Sequence, residues 1–199
     1  SRFKDVCTKG KGGATSVTVD KYAYELAQQI VSQELTETFK SDAMQRGNDE
    51  EPAAAFRYQI ETGNVVEEIT GFDVNPNVFV SPDRIIGLDG GLEIKNPNST
   101  THLKYIKERK MPKEYLMQVQ GCIWRGEREW WDFMSYDDRI PHGQIYLMRI
   151  WRDDEMIKTL VENINKTIDV RDEYVEKLLA LKDYDYRELY NQTLIRPAE

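Results

Sequence analysis

Cysteine is scarce in this sequence, which contains only Cys7 and Cys122 among its 199 residues. Two lone cysteines cannot build a disulfide framework or a four-cysteine iron–sulfur centre, and they suit a reducing cytoplasm. Long apolar runs are also missing: no stretch approaches the roughly 20 residues that cross a bilayer, and no secretory leader is visible. We therefore expect a cytoplasmic protein without a membrane partner. The chain begins abruptly at Ser1, as if its natural N-terminus were missing.

Positive charge is in deficit as well. The sequence has 27 Lys and Arg against 35 Asp and Glu, a net charge of −8 with a pI near 5.0. This balance argues against a protein that coats nucleic acid with its whole surface. It is compatible with a substrate that enters a confined passage, because only the lining of the passage must then be basic. Basic residues available for such a lining are Lys4, Lys9, Lys11, Lys104, Lys107, Arg109, Lys110 and Lys113.

The composition is ordinary for a soluble globular protein. Apolar residues make up 40% of the chain and charged residues 31%. The length suits one domain that can bury a core. We therefore expect a single domain over 1–199, with a helical N-terminal part (about 1–62), a catalytic core (about 63–151) and a C-terminal helix (about 153–181).

Hydrophobic periodicity predicts helices that alternate with groups of strands. The first helix is expected to have Asp20 as its N-cap, and the second to have Pro52 in its first turn and Gly63 at its end. A hairpin is expected at 88–91, with its glycines at positive φ. The pattern predicts an α/β (α+β) fold with a mixed central sheet of about five strands flanked by helices. The predicted helices cover 19–39, 49–62, 112–124 and 153–181, and the predicted strands 64–71, 77–87, 91–96, 129–136 and 144–151.

The most informative segment is SPDRIIGLDGGLEIKNP at 81–97. It contains Asp83 and, ten positions later, Glu93, followed by Ile94 and Lys95. Side chains alternate along a strand, so Glu93 and Lys95 should face a cleft while Ile94 packs on the other side. Two carboxylates at one point suit a hard cation such as Mg²⁺, and a lysine beside the ion can help to deprotonate a water molecule. The segment therefore predicts metal-dependent phosphodiester chemistry.

Several motifs in this order resemble the lambda exonuclease family of phage recombination nucleases, within the PD-(D/E)xK superfamily. SPD at 81–83 and LEIK at 92–95 resemble the superfamily's active-site core. GNDEEPAA at 47–54 resembles the family's helical element, which would place its acid at Glu51, with Glu50 as the competing assignment. An aspartate, Asp73, lies ten residues before Asp83, and YLMQVQ at 115–120 resembles the helix behind the site. The resemblance covers about 41–150.

The resemblance implies a fold, a reaction and a set of site residues. The fold would be the restriction-endonuclease-like core, and the reaction would be 5′-to-3′ digestion of one strand from double-stranded DNA ends. It also implies Mg²⁺, with Mn²⁺ as a substitute and two ions per site. The implied metal ligands are Asp73, Asp83, Glu93 and the Ile94 backbone carbonyl; the implied catalytic residues are Lys95, Glu51 and Gln118; and the implied substrate contacts are Ser81, Tyr115, Thr100, Thr101 and Met44.

The same resemblance implies biological context. It implies a ring-shaped homotrimer with DNA in its channel, a single-strand annealing protein as partner, and phage-type recombination through 3′ single-stranded overhangs in a bacterial host cell. Two alternatives stay open: a structure-specific or restriction-type endonuclease on the same core, and a non-catalytic DNA-binding protein. His102 and His142 are interpreted as surface or structural residues rather than catalytic ones.

Overall fold

A computed structural model of the chain describes residues 1–35, 41–75, 77–185 and 187, without the side chains at 13, 43, 73–75 and 183. The elements follow in chain order: α1 (Phe3–Val6), α2 (Val17–Ser32), α3 (Asp42–Thr62), β1 (Phe72–Asn75), β2 (Val78–Val80), β3 (Arg84–Ile86), β4 (Gly90–Lys95), α4 (Ser99–Glu108), α5 (Lys113–Arg125), β5 (Trp130–Tyr136), β6 (Ile145–Trp151) and α6 (Asp154–Leu179), with short 3₁₀ turns at Lys11–Gly13 and Ala180–Asp183.

The chain divides into two compact units. One comprises Ser1–Thr8 and Glu37–Ile164, and the other comprises Lys9–Thr36 and Asn165–Glu199. In the second unit the Tyr174 hydroxyl of α6 donates to Asp20 of α2 across 2.8 Å. The Tyr174 ring also meets Tyr24 of α2 edge-on, with 5.1 Å between centroids. Among the described helices, none is long and apolar enough to cross a membrane. The expectation of a single domain stays a prediction.

Helices α2 and α3 begin earlier in the chain than expected. Ser16, not Asp20, caps α2, because its hydroxyl accepts the Val19 N–H at 3.2 Å. Helix α2 ends at Ser32, with Gln33 in the left-handed conformation, so the predicted extension of the helix through 33–35 is wrong, and the rest of the predicted range, 36–39, lies outside the described residues.

Helix α3 begins before the predicted start at 49, so Pro52 is not in its first turn. Ser41 caps α3, so the helix starts at Asp42 and Pro52 lies in its interior rather than in its first turn. Gly63 ends the helix in the left-handed conformation, as predicted.

The strand prediction for the middle of the chain is correct in part. The stretch expected at 77–87 is divided into β2 and β3 by the Ser-Pro-Asp turn, and β1 was not predicted. The strand expected at 64–71 is wrong: within the described residues it reduces to a single bridge between Glu67 and Ile85. Val65 in that stretch is exposed, while Val66 is partly buried and packs against the apolar cluster of Ala54, Tyr58 and Leu92.

The main sheet has the order β3-β4-β5-β6 among the described residues. The pairs β3–β4 and β5–β6 are antiparallel, while β4–β5 is parallel, so the sheet is mixed as predicted. Its four strands, with the separate pair β1–β2, stand against the predicted five. In β4, Leu92 and Ile94 enter the apolar cluster with Ala54, Ala55 and Tyr58 of α3. Glu93 and Lys95 therefore face the opposite side, where α5 packs.

The glycines of β4 serve a different purpose from the one expected. The positive φ in the β3–β4 hairpin belongs to Gly87, at 53°. Gly90 and Gly91 instead lie beneath tryptophan rings: a Cβ built on Gly90 would stand 2.3 Å from the Trp130 ring, and one on Gly91 2.3 Å from the Trp131 ring. Only glycine allows β4 to approach these rings so closely.

The last third of the chain follows the predictions closely. Helix α5 begins after Pro112 and ends beside Gly126, and β5 and β6 match their predicted ranges to within one residue. Asp153 caps α6 through the Met156 N–H at 2.9 Å, as predicted. Helix α4 was not predicted, although Asn98 caps it through the Thr101 N–H at 2.8 Å.

Candidate active site

Asp83 is fixed at the start of β3 by the neighbouring strand. Its Oδ2 accepts a hydrogen bond from the Ile94 backbone N–H of β4 at 2.6 Å. Pro82 precedes it and is buried, so the turn that leads into β3 is held on both sides. The hairpin therefore brings the side chain of Asp83 next to the β4 segment that carries Glu93 and Lys95.

Glu93 is the centre of the cluster and is completely buried. Its Oε1 pairs with the Lys95 ammonium and accepts the Gln118 side-chain amide at 2.6 Å. Its Oε2 is also buried, yet it has no hydrogen-bond partner within the residues that the structure describes. A buried charged oxygen without a partner costs free energy, and a cation bound at Glu93 Oε2 would offset that cost.

The charge of Glu93 affects the protonation of Asp83. Burial, and after it the charge of Glu93, raise the pKa of Asp83 to about 7. Burial alone would lower the pKa of Lys95, but the charges of Glu93 and Asp83 outweigh it and raise that pKa above its ordinary value. One ammonium is therefore shared by two acids, and the site retains an excess of negative charge when both acids ionise.

Helix α5 forms the wall behind the site. Gln118 points from it onto Glu93, and Tyr115 stacks on Phe133 of β5 with 5.6 Å between ring centroids. The Lys95 Nζ lies 5.2 Å from the centroid of the Tyr115 ring, within the range of a cation–π contact. The expectation that 115–120 forms a helix behind the site is confirmed.

Glu51 reaches the same region from α3. Its Oε1 accepts a hydrogen bond from Arg84 Nη1 at 2.6 Å, and Arg84 Nη2 pairs with Glu68 at 2.9 Å. Burial and the charge of Asp83 raise the pKa of Glu51. Both Glu51 and Asp83 line an open cavity of about 490 Å³. The cavity is completed by Glu68, Ile69, Thr70, Ser81, Pro82 and Arg84.

The neighbouring acid Glu50 is used elsewhere. Both of its carboxylate oxygens lie 3.2 Å from Arg46 Nη1, and its Oε2 accepts the Asn96 side-chain amide at 3.3 Å. Of the two acids that the sequence left in competition, Glu51 is therefore the one that lines the cavity with Asp83.

The donor set suits a divalent cation without completing its shell. Across the part of the chain that the structure describes, no three His, Cys, Asp or Glu side chains form a group that could hold a metal ion. Asp83 and Glu93 supply two carboxylates, and Glu93 Oε2 lacks a partner among described residues. Hard oxygen donors with surplus negative charge fit Mg²⁺ or Mn²⁺. Asp73 belongs to β1, but the prediction for its side chain lies outside what is described.

The predicted substrate contacts are dispersed. Ser81 lines the cavity, whereas Thr100 and Thr101 lie in the first turn of α4. Met44, near the start of α3, is 58% exposed, so its side chain is accessible to a substrate.

Three polar residues have roles that the sequence interpretation did not assign. Arg84 ties Glu51 to the cavity wall, and Arg46 and Arg139 donate to backbone carbonyls just beyond Lys95. Their partners lie up to 51 positions away, so no local pattern could reveal them. His102 is structural, as interpreted: it is fully buried, with Ser135 Oγ at 2.7 Å and the Gly143 carbonyl at 2.8 Å.

Comparison with known proteins gives one family and several solved structures. The model of the YqaJ-like viral recombinase domain matches residues 1–129. A crystal structure of an alkaline exonuclease, LHK-Exo, from Laribacter hongkongensis shares 35% identity with a TM-score of 0.81, covering 90% of this chain and 89% of that one. The structure of LHK-Exo in complex with dAMP shares 36% identity with a TM-score of 0.79, covering 89% of this chain and 88% of that one.

A more distant structure shares the fold. It is a phage related exonuclease from Haemophilus somnus 129PT, with 16% identity and a TM-score of 0.70, covering 89% of this chain and 94% of that one. No curated protein matches the chain. The matches confirm the family resemblance and the restriction-endonuclease-like fold that the sequence motifs predict.

Proposed function

The chain belongs to the YqaJ-like viral recombinase domain family, and from this premise and the site geometry we propose that it is a metal-dependent DNA exonuclease. The observation that carries the proposal is Glu93: a fully buried carboxylate with one oxygen held by Lys95 and Gln118 and the other without a described partner. The similarity to an alkaline exonuclease, and to that protein's complex with dAMP, supports a nucleic-acid substrate.

Each residue of the site has a proposed role. Asp83, Glu93 and the Ile94 carbonyl would hold the cation, with Asp73 as a further ligand. A bound Mg²⁺ would supply Lewis-acid assistance to hydrolysis of a phosphodiester, and a second ion is part of the proposal. Lys95, kept cationic by Glu93, would orient the attacking water and stabilise negative charge that develops on the phosphate.

The remaining residues would act around this centre. Gln118 fixes one oxygen of Glu93, which would leave the other oxygen to bind the cation. Glu51 would act from the cavity wall, where Arg84 holds it. Ser81, in the same cavity, and Tyr115, Thr100, Thr101 and Met44 would contact the substrate.

The finer part of the proposal concerns direction and assembly. We propose digestion from 5′ to 3′ at double-stranded DNA ends, with a 3′ single-stranded overhang as product for annealing-based recombination. A homotrimeric ring and a single-strand annealing protein complete this proposal, and both derive from the family resemblance. The net charge of −8 requires that DNA contact a local basic surface rather than the whole protein.

A test with end-labelled DNA addresses activity and direction together. Linear duplex carrying a label at either the 5′ or the 3′ terminus is incubated with Mg²⁺, and closed circular DNA of the same sequence serves as control. We expect early release of the 5′ label alone and an intact circle. Release of the 3′ label first would overturn the direction. Cleavage of the circle would instead support an endonuclease, and an absence of hydrolysis on every substrate would support a non-catalytic DNA-binding protein.

A further inference from the structure

Two arginines converge on the chain immediately after the strand that carries Glu93 and Lys95. Arg46 of α3 donates through Nη2 to the Asn96 carbonyl at 2.7 Å and to the Pro97 carbonyl at 2.9 Å. Arg139, beyond β5, donates through Nη2 to the same Pro97 carbonyl at 2.8 Å. One carbonyl oxygen thus receives two guanidinium groups from two separate parts of the chain.

Each guanidinium is in turn held by an acid. Glu50, one turn along α3, has both carboxylate oxygens 3.2 Å from Arg46 Nη1. Asp137, which is fully buried, accepts Arg139 Nε at 2.6 Å and the Arg139 backbone N–H at 3.1 Å. Charge-assisted hydrogen bonds of this kind are directional and strong. Glu50 and Asp137 therefore hold the two guanidinium groups in the orientation in which they donate to the carbonyls after β4.

The position of this contact matters because sheet pairing ends there. The β4–β5 register stops at the pair Lys95 and Ser135. Pro97 has no N–H to donate, so a regular ladder cannot continue through it. Hydrogen bonds from Arg46 and Arg139 therefore hold the backbone directly after Lys95, where the hydrogen bonds of the sheet end.

We infer that Arg46 and Arg139 are positioning residues for Lys95, which fix the end of β4 so that its ammonium keeps its place beside Glu93. This inference rests on the proposed function for its catalytic meaning. Helix α3 carries both Arg46 and Glu51, so a single rigid element sets the end of the lysine strand and also brings Glu51 to the cavity.

Kinetics of matched arginine variants test the catalytic part. Arg46→Ala and Arg139→Ala should lower kcat by about 10- to 100-fold with KM changed less than about threefold, since misplacement of a reacting group by about 1 Å has an effect of this size. Arg46→Lys should recover only part of the loss, because an ammonium cannot span both carbonyls as the planar guanidinium does. The control is Arg57→Ala, on the same helix, whose ion pair with Glu61 is exposed.

Hydrogen exchange tests, without any catalysis, whether Arg46 and Arg139 fix the backbone at the end of β4. In Arg46→Ala, and independently in the more exposed Arg139→Ala, peptides covering 94–101 should exchange at least about tenfold faster. Peptides covering 113–125 and the thermal midpoint should stay close to those of Arg57→Ala. Unchanged exchange at 94–101, or kcat no lower than in Arg57→Ala, would overturn the inference. If the wild-type protein hydrolyses no DNA but both arginine variants still exchange faster at 94–101, the support of β4 by Arg46 and Arg139 stands and only the proposed function is overturned.

Discussion

Gln118 donates its side-chain amide to Glu93 across 2.6 Å, from α5 onto the central strand β4. The contact joins the helix behind the site to the acid at its centre. Lys95 takes the same oxygen of Glu93, which leaves Oε2 as the oxygen with no partner among the described residues. The arrangement gives the two oxygens of one carboxylate different tasks, and several consequences can be measured.

The first prediction concerns Lys95. Lys95→Ala should reduce DNA hydrolysis by about 100-fold or more, because preorganised positive charge at the reacting phosphate is worth that much. Binding of duplex DNA, measured by gel shift with Ca²⁺ in place of Mg²⁺, should be retained. Lys158→Ala on the exposed side of α6 is the control. Digestion at the wild-type rate by Lys95→Ala would contradict the assignment.

The second prediction concerns Gln118. Gln118→Ala removes a donor to a buried charged oxygen, so it should lower the free energy of unfolding by about 1.5–3 kcal/mol. It should also lower kcat by about 10- to 100-fold, because Glu93 loses its fixed orientation. Urea denaturation and steady-state kinetics measure the two effects. Gln45→Ala, whose amide bonds Asp49 on the exposed side of α3, should change neither.

Metal removal gives the third prediction. EDTA should stop hydrolysis without unfolding the protein, and Mg²⁺ should restore it. At a concentration 100 times its Kd, Mg²⁺ should raise the free energy of unfolding by about 2.7 kcal/mol, since it binds the folded state alone. Glu93→Gln should show much less stabilisation in the same thermal melt. Equal stabilisation of both proteins would place the cation elsewhere.

The fourth prediction concerns Tyr58, to which we assign a structural role and no catalytic one. Its buried hydroxyl donates to Asp132 at 2.6 Å, and Arg149 holds Asp132 at 2.8 and 2.9 Å. Tyr58→Phe should lower the free energy of unfolding by about 1–3 kcal/mol near neutral pH, with little change in kcat. Tyr24→Phe, at a site 40% exposed, is the matched control.

The same variant has a signature at alkaline pH. Burial, and then the hydrogen bond to Asp132, raise the pKa of Tyr58 to about 12, whereas an unfolded tyrosine ionises near 10. Between these values the unfolded state binds fewer protons, so the contribution of Tyr58 to stability falls as pH rises. The stability difference between wild type and Tyr58→Phe should therefore shrink from pH 10 to 12. A constant difference over that range would contradict the assigned pKa.

The sequence predicted the site strand well because its information is local. Alternation along β4 fixes which side chains share a face, so Glu93 and Lys95 could be placed together. Gln118 was placed on the helix behind the site by the resemblance of 115–120 to the family. Helix α4 was missed because Ser99, Thr100 and Thr101 at its start have low helix propensity. The cap supplied by Asn98 and the buried contacts of the helix outweigh that preference.

The features that the sequence did not predict, such as the start of α3 and the pairing of Glu51, depend on tertiary contacts. Pro52 suggested a helix start, yet the Ser41 cap starts α3 earlier and the helix continues through the proline. The Arg84–Glu51 pair spans 33 positions, and no periodicity links residues so far apart. Such pairs form only once the sheet and α3 have been brought together, which makes them visible in a structure and not in a pattern.

The close seat of Gly90 and Gly91 beneath two tryptophan rings has a practical consequence for engineering. A mutagenesis library aimed at altering substrate choice should hold both positions invariant, since even alanine would collide with an indole and displace the backbone that bears Glu93. Diversity is better introduced on the open rim, at Ser81 and Thr70, where side chains border solvent.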